Sequence, residues 1–328
     1  MSASRRQIIL GFAASLAAPG SVFAQGATRT YRIAVVFNGS ADSDRVYLEP
    51  FTEGLLRHGY KVGGNLILEV SHAEGRTDRS LALIEEAVAR KPDVIVTHGS
   101  ATGMAAKKAT ATIPIVMATV GDPVAIGLIA SLARPGGNIT GNTNLDASFL
   151  SKSLEILHET FPAVRSFGVL TDPAMPAVRS LWPALEDAAK QLRVGLQRFD
   201  ASTPEEIDRL LVDLARKRPG ALLVFPMPLF GAHRKRMIES LAKNRINQFW
   251  SLPDAADLGA LMSNVANIPV LWRNAANFVH RILQGAKPAD LPFEQATRFE
   301  FVINMKAAKT LGIRIPQPVL LRADRVIE

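Results

Sequence analysis

Ser100 stands in Gly99-Ser100-Ala101-Thr102-Gly103, just after an apolar run that ends at His98. A serine on such a turn could be a nucleophile. The elbow of serine hydrolases requires Gly-x-Ser-x-Gly. Here the preceding glycine is one place too close and the following one a place too far, and nothing marks His98 as its base. A second chemistry fits the same residues. A helix beginning near Ala101 directs free N–H groups and positive dipole at whatever lies in front of it, and Ser100 adds a hydroxyl. Asn38, Gly39 and Ser40 form a comparable polar turn. Such turns could hold a carboxylate, or Ser100 could simply cap its own helix.

Three aspartates follow apolar runs: Asp122 in "TVGDPV", Asp172 in "TDPAMP" and Asp254 in "LPDAAD". Each could accept hydrogen bonds from a ligand's ammonium or hydroxyl, or cap the next helix; for Asp122 a cap on "PVAIGLIASLA" with Pro123 at N1 is the stronger reading. The six histidines (58, 72, 98, 158, 233 and 280) lack metal-ligand spacing. "RPGGNITG" reads as a turn, not a phosphate loop, and Gly-x-Gly-x-x-Gly does not occur. No metal or cofactor is expected. With no cysteine, disulfides, thiolate chemistry and a lipidated cysteine are excluded. The formal charge of +8 is dispersed along the chain, so no nucleic-acid partner is expected.

The first 24 residues read as a leader. Arg5 and Arg6 precede an apolar stretch from Ile8 to Ala18, and Val22 and Ala24 occupy the small-residue places before a cut ahead of Gln25. "SRRQIIL" also resembles a twin-arginine signal. The stretch is too short to span a bilayer. The expectation is a soluble periplasmic protein that is not a lipoprotein and does not insert in a membrane after processing.

The elements that must carry these turns are written twice. "YRIAVVF", "NLILEVS", "DVIVTHG" and "IPIVMATV" alternate with helical segments. After residue 165, "RSFGVLT", "VGLQRFD", "GALLVFP" and "INQFWSL" repeat the order, and "ARKPDVIV" is echoed by "ARKRPGALLV". Short buried strands alternating with helices imply parallel sheets covered on both faces. The fold expected is α/β, two doubly wound parallel-sheet lobes facing a central cleft. Ligands bind such lobes beyond the C-terminal strand ends. That selects Asn38–Ser40, His98–Ala101, Thr119–Pro123, Thr171–Pro173, Pro226–Pro228 and Ser251–Asp254. The candidate contacts on them are Asn38, Gly39, Ser40, Ser100, Ala101, Thr119, Asp122, Asp172, Met227 and Asp254. Phe37, Phe230 and Trp250 could stack on a ligand but read first as core. Crossings near Asn144, Asn264 and Lys287 would give a first lobe of residues 30–144 plus 264–287 and a second of 145–263 plus 288–328.

The blocks "PDVIVTHGSATGMAAKKAT", "IPIVMATVGDPVAIGLIASLARPGGNITG", "GAKPADLPFEQATRFEFVINMKAAKTLGI" and "RADRVIE" resemble the substrate-binding proteins of bacterial ABC importers that include the tryptophan-uptake binding proteins. The resemblance covers the chain beyond the leader. It implies the type I periplasmic-binding-protein fold, capture of a small polar organic solute by lobe closure, and docking on a membrane permease driven by an ATPase. Asn264, in "LMSNVAN", is a further candidate contact; it stands where the family commonly has an aromatic, which argues against aromatic amino-acid specificity. An amino-acid-like solute bearing a carboxylate is the leading expectation. A ligand-presenting sensory partner and a periplasmic hydrolase are the rival readings.

Overall fold

The computed structural model describes residues 29–74, 76–144 and 147–328; the leader expected over residues 1–24 lies outside them. In chain order the elements are β1 (Tyr31–Phe37), α1 (Ala41–Arg57), β2 (Leu66–His72), α2 (Thr77–Ala89), β3 (Val94–His98), α3 (Ser100–Ala109), β4 (Ile115–Val120) and β5 (Ile139–Thr143). There follow α4 (Ala147–Thr160), β6 (Ser166–Thr171), α5 (Pro176–Leu192), β7 (Gly195–Asp200), α6 (Pro204–Lys217), β8 (Leu222–Val224), α7 (Pro228–Lys243), β9 (Gln248–Trp250) and β10 (Met262–Ala266). The last part holds α8 (Ile268–Leu283), a 3-10 turn (Pro288–Asp290), β11 (Glu294–Gln295), β12 (Phe299–Asn304), α9 (Met305–Leu311), α10 (Gln317–Leu320) and β13 (Arg325–Ile327).

Two sheets result among the described residues. One runs β11-β5-β4-β3-β1-β2, the other β13-β12-β10-β9-β8-β6-β7. Both therefore contain the same arrangement, second-first-third-fourth-fifth strand, all in parallel. The antiparallel pair is β10 with β12. Side-chain alternation explains why each sheet is covered twice. From β1, Ile33, Val35 and Phe37 join one core with Phe51 and Trp272, whereas Ala34 and Val36 join another with Ile84 and Ala106. The second sheet is enclosed in a larger core that includes Phe167, Phe225 and Trp250. Phe37, Phe230 and Trp250 are fully buried, so all three are core residues.

The chain joins the lobes three times. Asn144 still bonds to Val120 of the first sheet, and α4 packs on α5 in the second lobe. Asn264 does not mark the second passage: it lies inside β10, paired with Phe301, and the turn comes at Asn267, whose side chain caps α8. α8 then packs on α1 of the first lobe. There Gly54 permits the approach, because a Cβ would stand 2.7 Å from that of Ala276. The third passage follows Gln295 rather than Lys287, since β11 still pairs with β5. In both cases a backbone partner, not composition, decides where the chain turns over.

The helix expected after Asp122 is absent. Asp122 Oδ1 accepts from the N–H groups of Val124 and Ala125 (3.1 and 2.9 Å). Gly127 then turns left-handed (φ 69°), and both Leu128 and Ile129 bond back to Pro123. The segment is a chain of turns with Asp122 as its side-chain cap.

Candidate functional site

The strand ends of both lobes enclose a cleft pocket of about 310 Å³. Its first-lobe wall is built from Tyr47, His98, Gly99, Ser100, Thr119 and Asp122, with Ile126 and Asn144 beside them. The second lobe contributes Met175, Pro226, Met227 and Pro253, and Ile268 enters from the crossing segment. Four of the expected contacts, Ser100, Thr119, Asp122 and Met227, thus meet in one pocket.

The polar centre is the junction of β3 and β4. Gly99 donates its N–H to the Thr119 carbonyl (2.8 Å), and the ladder slips one place between Thr97 and His98. The slip and the left-handed Gly99 (φ 83°) turn the chain sharply into α3; an L side chain there would be strained. Gly99, not Ser100, is the N-cap, and no side chain caps the helix. The N–H groups of a first helical turn have no intrahelical partner. Ser100 therefore sits at the first helical position beside uncapped donors. Thr119 is 7% exposed, and its Oγ1 has no hydrogen-bond partner. A buried hydroxyl of this kind costs free energy until something meets it.

His98 forms the side of this centre. Its ring lies 5.6 Å from Trp272, 5.9 Å from Phe37 and 6.5 Å from Tyr47, centre to centre. Burial in that cage holds its pKa down at about 4, against a weaker upward pull from Asp44. The neutral ring accepts the Asn38 N–H at Nε2 (3.3 Å), which leaves the proton on Nδ1. Tyr47 has its pKa raised by burial, then by Asp44 and Asp254, with Arg234 opposing. Since Asp254 and Arg234 belong to the second lobe, the two walls stand within electrostatic reach of each other.

The remaining expected contacts are engaged elsewhere. Asn38 bonds to the His98 carbonyl through Nδ2 and accepts from Ser80 Oγ (2.8 Å), so it braces the loop behind the pocket. A Cβ on Gly39 would meet Asp44 Oδ1 at 2.4 Å. Ser40 is the N-cap of α1 in a reciprocal box with Ser43. This turn is closed upon itself and backed by a carboxylate, and it contributes no residue to the pocket lining. Ala101 is exposed and off the pocket wall. Asp172 is buried and accepts from Ser202 Oγ and the Ala174 N–H. Asp254 pairs with Arg234 through both carboxylate oxygens (2.9 Å each). Asn264 lies outside the cleft altogether, in a different hollow.

Sequence reasoning missed Tyr47, Met175, Pro226, Pro253 and Asn144 as pocket residues, and set His98 aside. Met175, Pro226 and Pro253 lie in or beside the strand-end loops already singled out. Tyr47 had no local signal, because its position depends on Trp272, 225 residues later. No group of three or more His, Cys, Asp or Glu among the described residues could hold a metal ion. No helix among them is long and apolar enough to cross a membrane.

Comparison with known proteins adds the following. The family model described as "ABC transporter substrate binding protein" matches residues 32–327. A protein named "Tyrosine-binding protein" from Clostridioides difficile (strain R20291) is 26% identical over 265 residues, 80% of this chain and 76% of that one. A conserved domain protein of Vibrio cholerae superposes with a TM-score of 0.79 at 28% identity, over 91% of this chain and all of the other. An ABC domain from Streptococcus pneumonia, solved in complex with L-Trp, gives a TM-score of 0.80 at 24% identity with the same coverage.

Proposed function

Since the chain belongs to the ABC transporter substrate-binding protein family and has its type I periplasmic-binding fold, we propose that it captures an amino-acid-like solute by its carboxylate. The carrying observation is the unpartnered Thr119 Oγ1 beside the uncapped start of α3. An anion there receives the Thr119 and Ser100 hydroxyls, first-turn N–H groups and a helix dipole. His98 and Tyr47 line the same space. Asp122 and Asn144 are the polar groups for the amine end. Met175, Pro226, Met227, Pro253, Ile126 and Ile268 surround the ligand's apolar part.

The pocket's size suits a molecule of amino-acid dimensions. The naming of relatives for tyrosine and L-Trp supports an amino acid as the class. The protein works in the periplasm after losing residues 1–24, and hands its solute to a permease driven by an ATPase. In this reading the cleft binds the solute without altering it, in keeping with a family described by substrate binding.

Titration calorimetry with a panel of amino acids, their amides and decarboxylated amines tests this. Micromolar or tighter binding of at least one amino acid, lost in the matching amine, is the expected result. Binding that survives removal of the carboxylate sinks the proposal.

A further inference from the structure

A hollow of about 700 Å³ lies in the second lobe and shares no lining residue with the cleft. Each passage between the lobes delivers one residue to it. Phe149 comes from the start of α4, Asn264 from the middle of β10, and Phe299 from the start of β12. The two phenylalanine rings stack at 4.7 Å and 12°. Asn264 is only 5% exposed, and its Oδ1 has no partner. Folded proteins rarely leave such a group unmet. The other wall is α5, which offers the small Ala184 and Ala188. Charges at the rim are already neutralised: Lys152 pairs with Glu155 (2.7 Å) and Asp187 with Lys190 (2.9 Å).

We infer that this hollow is a second small-molecule site, for a neutral, flat, largely apolar compound that donates one hydrogen bond. Asn264 Oδ1 receives the N–H or O–H, the Phe149–Phe299 stack receives the ring, and the alanines leave room for it. The self-paired rim charges give an ionic ligand no unmet partner. The site stands on these side chains alone and does not depend on what the cleft holds.

Indole, a planar molecule with one N–H donor and no charge, is the probe. It is titrated into isotope-labelled protein while backbone amide shifts are followed. The expected result is saturable shifts at Ser151, Gln191 and Asn264, with Ser100 and Gly121 unmoved. Asn264→Leu removes the acceptor at similar size, and binding should weaken by about tenfold or more. Ala184→Leu, on the helical wall, fills the space and should block indole even if the first variant fails to fold. Three results overturn the site: no saturable shift up to the solubility limit, shifts confined to the cleft, or a folded Ala184→Leu protein that binds as well as the wild type.

Discussion

The two lobes repeat one strand order, yet they bring opposite chemistry to the cleft. In the first lobe, α3 opens with Ser100 behind the N-cap Gly99 and has no side-chain cap, so its first-turn N–H groups stay available. In the second lobe, α5 and α7 each open with a methionine followed by proline, Met175–Pro176 and Met227–Pro228. Proline removes the N–H at the first helical position, and methionine presents an adaptable apolar surface. The second lobe also satisfies its acids internally, Asp172 with Ser202 and Asp254 with Arg234. On the proposed reading the duplicated scaffold divides the labour: one half grips a polar group, the other encloses an apolar one. Affinity for the head group is accordingly expected to be set in the first lobe and preference among side chains in the second.

The sharpest way to break this division is Ser100→Asp. A carboxylate at the first turn of α3 opposes a ligand carboxylate and should weaken binding by about a thousandfold, or about 4 kcal/mol. The same change favours the helix dipole, so thermal stability should hold or rise slightly. If calorimetry shows affinity nearly unchanged, the first lobe does not hold the acid.

The next effect concerns pH. His98 in the folded protein titrates at about 4 against an ordinary 6.5. Folding therefore excludes a proton that the unfolded chain accepts, and the stability is complete above pH 6.5 and drains away as the pH falls toward 4. The full shift corresponds to about 3 kcal/mol, less to the extent that cleft water reaches the ring edge. Urea unfolding from pH 7 to 4.5 should show this loss, and His98→Phe should flatten it. An unchanged slope in the variant would assign the loss to other groups.

Thr119→Val should weaken ligand binding by about tenfold, since one donor to the anion is lost. Folding stability should be equal or higher, because the deleted hydroxyl has no partner in the protein. A loss of stability without a loss of affinity would mean that Thr119 serves the fold. The smallest effect is expected at Ser40→Ala, which removes a helix cap. Stability should drop by about 1 kcal/mol with affinity intact, whereas a large affinity loss would return the Asn38–Ser40 turn to the site.

The architecture was legible because its signals are local and occur twice. Runs such as Ile33–Phe37 and Leu222–Val224 are apolar on both faces, which specifies a covered parallel strand. The cleft loops followed from the strand ends. What escaped was decided at a distance. Asp172 resembles a ligand contact until Ser202, on the turn after β7, is placed against it. Asp254 depends on Arg234, and Tyr47 and His98 on Trp272. Asn264 sits in a strand whose partner, Phe301, fixes its position. Such pairings leave no mark in a local pattern, so residue types selected on the loops included groups whose hydrogen bonds were already spent.

The placement of α8 has a consequence for how the protein comes into being. Trp272, Ala275, Ala276 and Val279 complete the core that Phe37, Phe51 and Leu55 begin. A polypeptide is made from its N-terminus, so the first lobe waits for a helix that emerges more than two hundred residues after its first strand. Until then one face of its sheet is an open apolar surface, and long-range closure of this kind is slow. The nascent chain is therefore a poor folder for most of its synthesis, since the core of its first lobe cannot close before α8 is made. A circular permutant that begins at α8 should collapse early, and its first lobe should fold faster than that of the natural order.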